Sequence, residues 1–218
     1  LFDVDSNDPL KGDLSISVGR FPVNTLEEAQ AVVNKVINYD ISEEALGDWR
    51  NRLAFVADDE DGKTHGDDAD EIADDIQNIH PYLNIDKIFL DAYPQVSTPG
   101  GDRFPAANAA INEAMFKGVF AMTYLGHGGS QGWAQERVLN ISDIVGWTNS
   151  KKLPIFLTAT CSFTGYDDAG FTTGGEQVFL NPRGGAVALL TTVTMLPCYH
   201  VTHCPQERIF APGCARLE

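Results

Sequence analysis

Short apolar runs alternate with amphipathic stretches along this chain, and that alternation is the feature that most restricts its fold. The runs are rich in β-branched and aromatic residues and occupy residues 14–19, 52–57, 87–93, 119–125, 153–159 and 185–193. Several are apolar without interruption, as in a parallel sheet whose two faces are both covered by helices. The pattern predicts an α/β fold, a three-layer α/β/α sandwich with a mostly parallel sheet.

Four helices are predicted between these strands. The first covers residues 25–40, starts with capping-box spacing, and has these apolar residues on one face: Leu26, Ala29, Val33, Val36 and Ile37. The second covers residues 67–79, with acidic residues in its first turn and this apolar stripe: Ala69, Ile72, Ala73, Ile76 and Ile79. A third begins near Pro105 and ends at Gly118, and a short fourth lies within residues 141–150.

Length and composition indicate one globular domain. The chain has 218 residues, 43% of them hydrophobic, which is enough for a core without disulfide bonds. No apolar run is long enough for a membrane span, and no signal peptide opens the sequence. Because the first residue is Leu1, we expect a piece of a longer protein. The formal net charge of −16 argues against a nucleic-acid partner, which requires a basic surface.

Acidic residues and cysteines are both unevenly distributed. Ten of the eighteen residues in 58–75 are Asp or Glu, which indicates either a solvated loop and helix face or a cation site. Cys161 is isolated in the middle of the chain, whereas the other three cysteines crowd into the tail. An isolated cysteine belongs to no local disulfide framework, so its surroundings must decide its role.

Two chemically useful side chains follow consecutive predicted strands. His127 comes just after residues 119–125, and Cys161 comes just after residues 153–159. Consecutive strands are usually neighbours, and reactive groups of parallel sheets gather at the carboxyl ends of the strands. A hydrogen-bonded core histidine and a small buried cysteine are the simpler interpretations of each residue alone. Together, the two positions favour a nucleophile and its base.

Acyl transfer is the chemistry that such a pair supports. A thiolate is the nucleophile, and an imidazole can take its proton and return it to a leaving amine. Glycines surround His127 and allow close approach of a peptide, so the N–H groups of Gly128 and Cys161 are candidates for an oxyanion hole. A serine hydrolase is a weak alternative, because no G-x-S-x-G motif is present.

The segments "GHGGSQGW" and "LPIFLTATCSF" resemble the histidine and cysteine motifs of the gingipain-type cysteine peptidases, which are related to caspases. The resemblance extends to "LSISVGRFPVNTLEEAQAVVNKVINYD", "WRNRLAFVADDEDG", "GGEQVF" and "GGAVALLTT". It implies a caspase-like fold, with Cys161 as nucleophile, His127 as general base and acid, and Gly128 with Cys161 as the oxyanion hole. The last 20 or so residues lie outside it.

The same resemblance implies supporting residues. A carboxylate behind the histidine falls on Glu60 by ungapped matching, with Asp58 and Asp59 as alternatives. The family position that recognises Arg or Lys falls near His65, so specificity for a basic residue is not expected. Substrate contacts are implied at these positions: His65, Trp133, Thr191 and Thr192.

Metal binding and the tail give further expectations. Asp3, Asp5, Asn7 and Asp8 are oxygen ligands suited to Ca²⁺, which family members bind, although the EF-hand Gly and Glu are missing. No cofactor is required for the chemistry. We expect residues 1–194 to form the catalytic domain or subdomain, and residues 195–218 to be an atypical tail, out of frame or disordered. A zinc site in the tail is a weaker alternative, because the spacings of its candidate ligands match no usual structural site: Cys198, His200, His203, Cys204 and Cys214.

The function predicted from the resemblance is that of a cysteine endopeptidase or transpeptidase. The acidic stretch "FVADDEDGKTHGDDADEIAD" is most similar to family members that remove C-terminal sorting signals from type IX secretion cargo. The expected substrates are proteins or peptides, the expected partners include other secretion-system components, and the expected location is the outer membrane surface or outside the cell. Two alternatives remain, an inactive cation-binding or scaffolding module of a secretion machine and a general secreted gingipain-like protease.

Overall fold

The core of the fold is a five-stranded sheet. The computed structural model describes residues 19–168 and 170–192, and within them the strands are β1 Arg52–Ala57, β2 Asn84–Phe89, β3 Val96–Thr98, β4 Gly101–Arg103, β5 Ala121–Leu125, β6 Gly128–Gly129, β7 Gly132–Trp133, β8 Leu139–Asn140, β9 Ile155–Ala159 and β10 Ala188–Leu190. The main sheet has the order β10-β9-β5-β1-β2, and every pairing in it is parallel. Strands β3 and β4 form a hairpin, and β6, β7 and β8 form a small antiparallel sheet.

Helices cover the sheet on two sides. They are α1 Leu26–Ile41, α2 Thr64–Ile79, α3 Pro105–Lys117, α4 Ile141–Gly146 and α5 Gly174–Leu180. Alternate residues of β1 divide between two hydrophobic clusters: Ala54 and Val56 pack with α3, whereas Leu53, Phe55 and Ala57 pack with α2. This two-sided burial confirms the predicted three-layer α/β/α sandwich. None of the helices in the described ranges is long and apolar enough to cross a membrane.

The predicted strands are confirmed with shifted ends. The run at 52–57 coincides with β1, and those at 119–125, 153–159 and 185–193 contain shorter strands. The run at 87–93 is offset because residues Leu90–Ala92 form a 3₁₀ turn after β2. The run at 14–19 lies almost entirely outside the described residues.

The predicted inward face of α1 is wrong. Leu26, Val33 and Ile37 are exposed, and the buried residues are Val32 and Lys35. The Lys35 ammonium donates to the carbonyls of Phe179 at 2.7 Å and Gly184 at 2.9 Å, and burial lowers the pKa of Lys35 to about 8. Because a lysine turned inward finds acceptors in the segment around α5, hydrophobic spacing alone gave the wrong face. The capping box of Thr25 and Glu28 is confirmed.

Candidate active site

The sheet places His127 and Cys161 at the same edge. Strands β5 and β9 are adjacent and parallel, with Leu125 opposite Ala159, so His127 and Cys161 each lie two residues beyond the same pair. The Gly126 N–H donates to the Ala159 carbonyl at 3.3 Å, which continues the strand contact past the end of the ladder. The prediction that these strands are neighbours is confirmed, and the edge they share is the carboxyl edge of the sheet.

The backbone of His127 is fixed by two buried groups. The Asp58 carboxylate, at the end of β1, accepts the His127 backbone N–H at 2.9 Å. The Tyr124 hydroxyl donates to the His127 carbonyl at 2.5 Å. Asp58 is only 1% exposed, and this burial raises its pKa, an effect that the bond from His127 opposes. Asp58 therefore positions the main chain of His127. Sequence matching offers Asp58 as one candidate for the carboxylate that orients the His127 ring, and does not distinguish these two roles.

Gly126 is required by this arrangement. Its φ is +151°, and a Cβ there would overlap the side chain of Asp58 and the hydroxyl of Tyr124. Gly129 differs, because a Cβ at that position would meet open space. Packing therefore demands glycine at position 126 but not at position 129.

The carboxylate at the His127 ring belongs to Asp61. His127 Nε2 and Asp61 Oδ2 are 2.9 Å apart, and both side chains are about half exposed. The structure places Asp61, and not the predicted Glu60 or Asp59, at this position because the chain turns sharply after β1. Asp61 and Lys63 have positive φ, and a 3₁₀ turn over Asp61–Lys63 leads directly into α2. Glu60 lies before that turn, and the Asp59 Oδ1 atom is buried without a hydrogen-bond partner.

The pairing of β6 with β7 determines the direction of the Gly128 N–H. The Ala134 N–H donates to the His127 carbonyl at 2.8 Å, and these two residues flank the pair formed by Gly128 and Trp133. That pattern makes Gly128 and Trp133 a non-hydrogen-bonded pair, so the Gly128 N–H points away from β7. A Cβ at Gly128 would also overlap the Thr160 hydroxyl, which places Gly128 against the residue that precedes Cys161.

The loop that carries Cys161 is held by the end of β10. Cys161 is a half-buried free cysteine, and Ser162 after it has a φ of +50°. The Thr192 hydroxyl donates to the Thr160 carbonyl, and the Thr164 N–H donates to the Thr192 carbonyl at 3.2 Å. The Thr191 hydroxyl lies 2.7 Å from that of Thr158. Thr191 and Thr192 therefore make intramolecular hydrogen bonds to residues on either side of Cys161.

Trp133 lies in the core, which corrects its predicted role as a substrate contact. The indole is fully buried and stacks on Tyr124 with a centroid distance of 4.4 Å and an interplanar angle of 3°. Rings of Phe156 and Phe163 pack against its other sides. A side chain with no exposed surface cannot touch a substrate, so Trp133 acts by supporting the segment that carries His127.

His65 lies beside the catalytic candidates. The helix α2 begins at Thr64, three residues earlier than predicted, and this extension places His65 in its first turn. His65 is 6% exposed, and its ring meets that of His127 edge to face at 5.4 Å. Burial lowers the pKa of His65, and the positive charge of a protonated His127 lowers it further. The predicted substrate contact of His65 stays a prediction, and the ring itself is buried.

Two groups of side chains near His127 could hold a cation. Asp61, His65 and His127 form one, and Asp58, Asp59 and Glu136 form the other; in each group the ligand atoms lie within 4.8 Å of one another. The predicted Ca²⁺ ligands Asp3, Asp5, Asn7 and Asp8, and the tail beyond residue 192, lie outside the described residues.

A cleft of about 1070 Å³ opens next to this edge. His127, Gly128 and residues up to Arg137 line one part of it, and Arg103, Asn108 and Asp143 line another. Cys161 is not among the lining residues, so the cleft lies on the histidine side of the site. It is large enough for several residues of an extended peptide.

The fold and these paired strand ends place the chain in the class of caspase-like α/β proteins. The family model described as peptidase family C25 matches residues 1–211. The chain therefore belongs to peptidase family C25, the family of the gingipains.

Solved structures agree with this assignment. The Arg-specific cysteine proteinase gingipain R (RgpB) is 18% identical, with a TM-score of 0.65 over 81% of this chain and 39% of that chain. A complex of the Porphyromonas gingivalis RgpB pro- and mature domains gives 18% identity and a TM-score of 0.66 over 83% and 41% of the two chains. A third structure, described only as a protease, gives 18% and 0.60 over 77% and 34%. At this identity the likeness establishes the fold, and the chain spans about two fifths of the two RgpB chains. No curated protein matches the chain.

Proposed function

We propose that this chain carries the active site of a cysteine endopeptidase, with Cys161 as the nucleophile and His127 as the general base and acid. The observation that carries the proposal is the register of β5 and β9, which puts both residues two positions beyond one strand pair. Membership of peptidase family C25 supports the same chemistry. The chain spans only part of the length of its solved relatives. The activity of the whole protein is therefore also a proposal.

On this proposal each group has a step in acyl transfer. Asp61 occupies Nε2 of His127, which leaves Nδ1 to take the proton of the Cys161 thiol. The thiolate attacks the peptide carbonyl, and the N–H groups of Gly128 and Cys161 stabilise the oxyanion. His127 returns the proton to the leaving amine, and the new C-terminus stays on Cys161 as a thioester. Water or an amine then releases it, so the nucleophile that arrives decides between hydrolysis and transpeptidation.

The substrate we propose is a protein whose C-terminal sorting signal is removed, as by PorU, the signal peptidase of the type IX secretion system. The segment 55–74, which contains most of the acids of residues 58–75, carries that narrower resemblance. The position where trypsin-like relatives would carry an acid falls near His65, with Asp67 and Asp68 close by. His65 is buried and offers no negative charge to an Arg or Lys side chain. On this proposal the protein works at the outer membrane surface, together with other secretion components.

A paired substrate assay tests this function. Purified protein is incubated with a cargo protein that keeps its C-terminal sorting domain, and separately with short peptides that contain an internal Arg or Lys. We expect cleavage of the cargo at one position, slow or no cleavage of the basic peptides, and loss of both in Cys161→Ala. Preferred cleavage after Arg or Lys would instead favour a general gingipain-like protease. Cleavage of neither substrate by the wild-type protein would favour a scaffold. Added glycine peptides reveal transpeptidation by the mass of the product.

Calcium takes no part in the proposed chemistry, and we propose a supporting place for it. The carboxylates of Asp58, Asp59 and Glu136 suit a hard cation, since two of their oxygens, Asp59 Oδ1 and Glu136 Oε2, are buried without partners. Burial raises the pKa of Glu136. A cation there would neutralise this group and hold Asp58, which in turn holds His127. Removing calcium with a chelator is therefore expected to lower the unfolding temperature, and no change would contradict this placement.

A further inference from the structure

Three potential metal ligands meet on the exposed side of His127. Asp61 Oδ2 lies 2.9 Å from His127 Nε2 and 3.5 Å from His65 Nε2. The ligand atoms of all three residues lie within 4.8 Å of one another. They come from the turn after β1, the first turn of α2 and the end of β5. Two segments of the chain, residues 61–65 and the end of β5, therefore bring two imidazoles and one carboxylate close together.

His65 is the member of this group that the peptidase chemistry leaves unexplained. It is 6% exposed, and neither of its ring nitrogens has a hydrogen-bond partner among the described residues. The Asp61 Oδ2 atom lies 3.5 Å from His65 Nε2, which is longer than an ordinary hydrogen bond. Buried polar groups are normally satisfied, because leaving one unpaired costs about 1–3 kcal/mol.

The two distances from Asp61 to the imidazoles are close to those of tetrahedral coordination. Zinc binds histidine nitrogen and carboxylate oxygen at about 2.0–2.2 Å, so ligand atoms of a tetrahedral site are separated by about 3.3 Å. The two separations of 2.9 and 3.5 Å to Asp61 Oδ2 lie on either side of this value. Two histidines and one carboxylate leave the fourth position to water, as in many open zinc sites. Imidazole donors favour zinc and related transition metals over calcium and magnesium.

We propose that Asp61, His65 and His127 form a binding site for a divalent transition metal, with Zn²⁺ as the representative ion, and that occupation reversibly inhibits the peptidase. The inhibitory part rests on the function proposed above. An imidazole whose Nε2 binds a metal carries its proton on Nδ1 and has no lone pair left to accept another. His127 in that state cannot take the proton of Cys161, so the nucleophile is not activated. Because Asp61 and the His127 ring are about half exposed, an ion can reach the site from solvent.

Binding is tested separately from activity. Zn²⁺ affinity is measured by competition with a chromophoric chelator in Cys161→Ala, so that this thiol supplies no ligand. Adding His65→Gln or Asp61→Asn to that background is expected to weaken binding at least about tenfold at this site. Adding His80→Gln, at the exposed end of α2, is the matched control and is expected to change nothing. The visible spectrum of bound Co²⁺ is expected to show nitrogen and oxygen ligands without thiolate, which separates this site from the cysteines of the tail.

Inhibition provides the second readout. Zn²⁺ is expected to inhibit the wild-type chain, a chelator is expected to restore activity, and His65→Gln is expected to raise the inhibitory concentration at least about tenfold. Unchanged zinc affinity in both His65→Gln and Asp61→Asn would overturn the site. Weakened affinity with unchanged inhibition would overturn the regulatory role. If the wild-type chain has no peptidase activity, the proposed function is wrong. The affinity measurements would still show whether the metal site exists.

Discussion

The two strand ends that form the site are held in different ways. His127 is fixed by its main chain, through the buried Asp58 carboxylate from β1 and the Tyr124 hydroxyl from its own strand. Cys161 lies in a loop that the threonines after β10 hold through hydroxyl and carbonyl contacts on either side of it. The histidine end therefore depends on a charged, buried anchor, and the cysteine end on neutral hydrogen bonds.

Because of this difference, substitutions at the two ends should have different effects on stability and on catalysis. Buried carboxylates and positive-φ glycines tolerate little change, because any replacement leaves an unpaired group or a steric overlap. Threonine hydroxyl contacts in a half-buried loop contribute less each, and a serine can replace them. We therefore expect larger structural effects at the histidine end, and the largest effect on chemistry at Cys161 itself.

The largest effect is predicted for the nucleophile. Replacing Cys161 by Ala is expected to lower the rate of peptide cleavage by roughly 10³-fold or more, because no other group can form the thioester. The measurement is the cleavage rate of a peptide or cargo substrate at saturating concentration. Cys198→Ala serves as the matched thiol control and is expected to keep the wild-type rate. Equal losses in both variants would contradict the assignment.

The second-largest effect is predicted for the glycines next to His127. Gly126→Ala is expected to destabilise the fold by about 2–3 kcal/mol, because the added Cβ meets Asp58 and Tyr124. Gly129→Ala, three residues away in open space, is expected to change stability by no more than about 0.5 kcal/mol. Denaturant unfolding of both variants measures the difference. If Gly126→Ala is as stable as Gly129→Ala, the packing of His127 described here is wrong.

A smaller effect is predicted at the cysteine end. Thr192→Val removes the hydroxyl that donates to the Thr160 carbonyl and is expected to cost about 1 kcal/mol of stability. The loop that carries Cys161 would be less fixed, so the cleavage rate should fall while substrate affinity changes little. Thr192→Ser keeps the hydroxyl and should restore most of both quantities. A Ser variant as impaired as the Val variant would show that packing of the methyl group, and not the hydrogen bond, holds the loop.

The smallest effect concerns pH. Burial lowers the pKa of His65 below its ordinary value of 6.5, with His127, Asp61 and Asp68 as its charged neighbours. As the pH falls, the unfolded chain therefore binds a proton at His65 before the folded chain does. The contribution of His65 to stability is present above pH 6.5 and declines as the pH falls below it. His65→Gln is expected to flatten this part of the stability profile, measured by unfolding at several pH values. His80→Gln is the control, and identical profiles for the two variants would contradict the burial of His65.

Much of the fold and the pairing of its two strand ends could be predicted from the sequence. Uninterrupted apolar runs and helix caps are local signals, and they identified the sheet strands and α3. The order of the chain was enough to suggest that β5 and β9 are neighbours.

The supporting contacts could not be predicted, because they depend on turns and on residues far apart in the chain. Asp61 reaches the His127 ring only because the chain turns through positive φ after β1, and residues 58–61 are four consecutive acids that no spacing rule distinguishes. Trp133 and Lys35 gave misleading signals for a related reason. Nothing in the local sequence shows that an indole next to a glycine is stacked in the core, or that a lysine finds buried carbonyls.

The central claim is that His127 activates Cys161 across the carboxyl edge of the sheet. The most direct measurement is covalent labelling by a peptide carrying a thiol-reactive electrophile, with the labelled residue identified by mass spectrometry. The account predicts rapid labelling of Cys161, much slower labelling of that residue in His127→Ala, and only slow labelling of Cys198, Cys204 and Cys214. Labelling of Cys161 at the same rate with and without His127, or no faster than that of the tail cysteines, would contradict it.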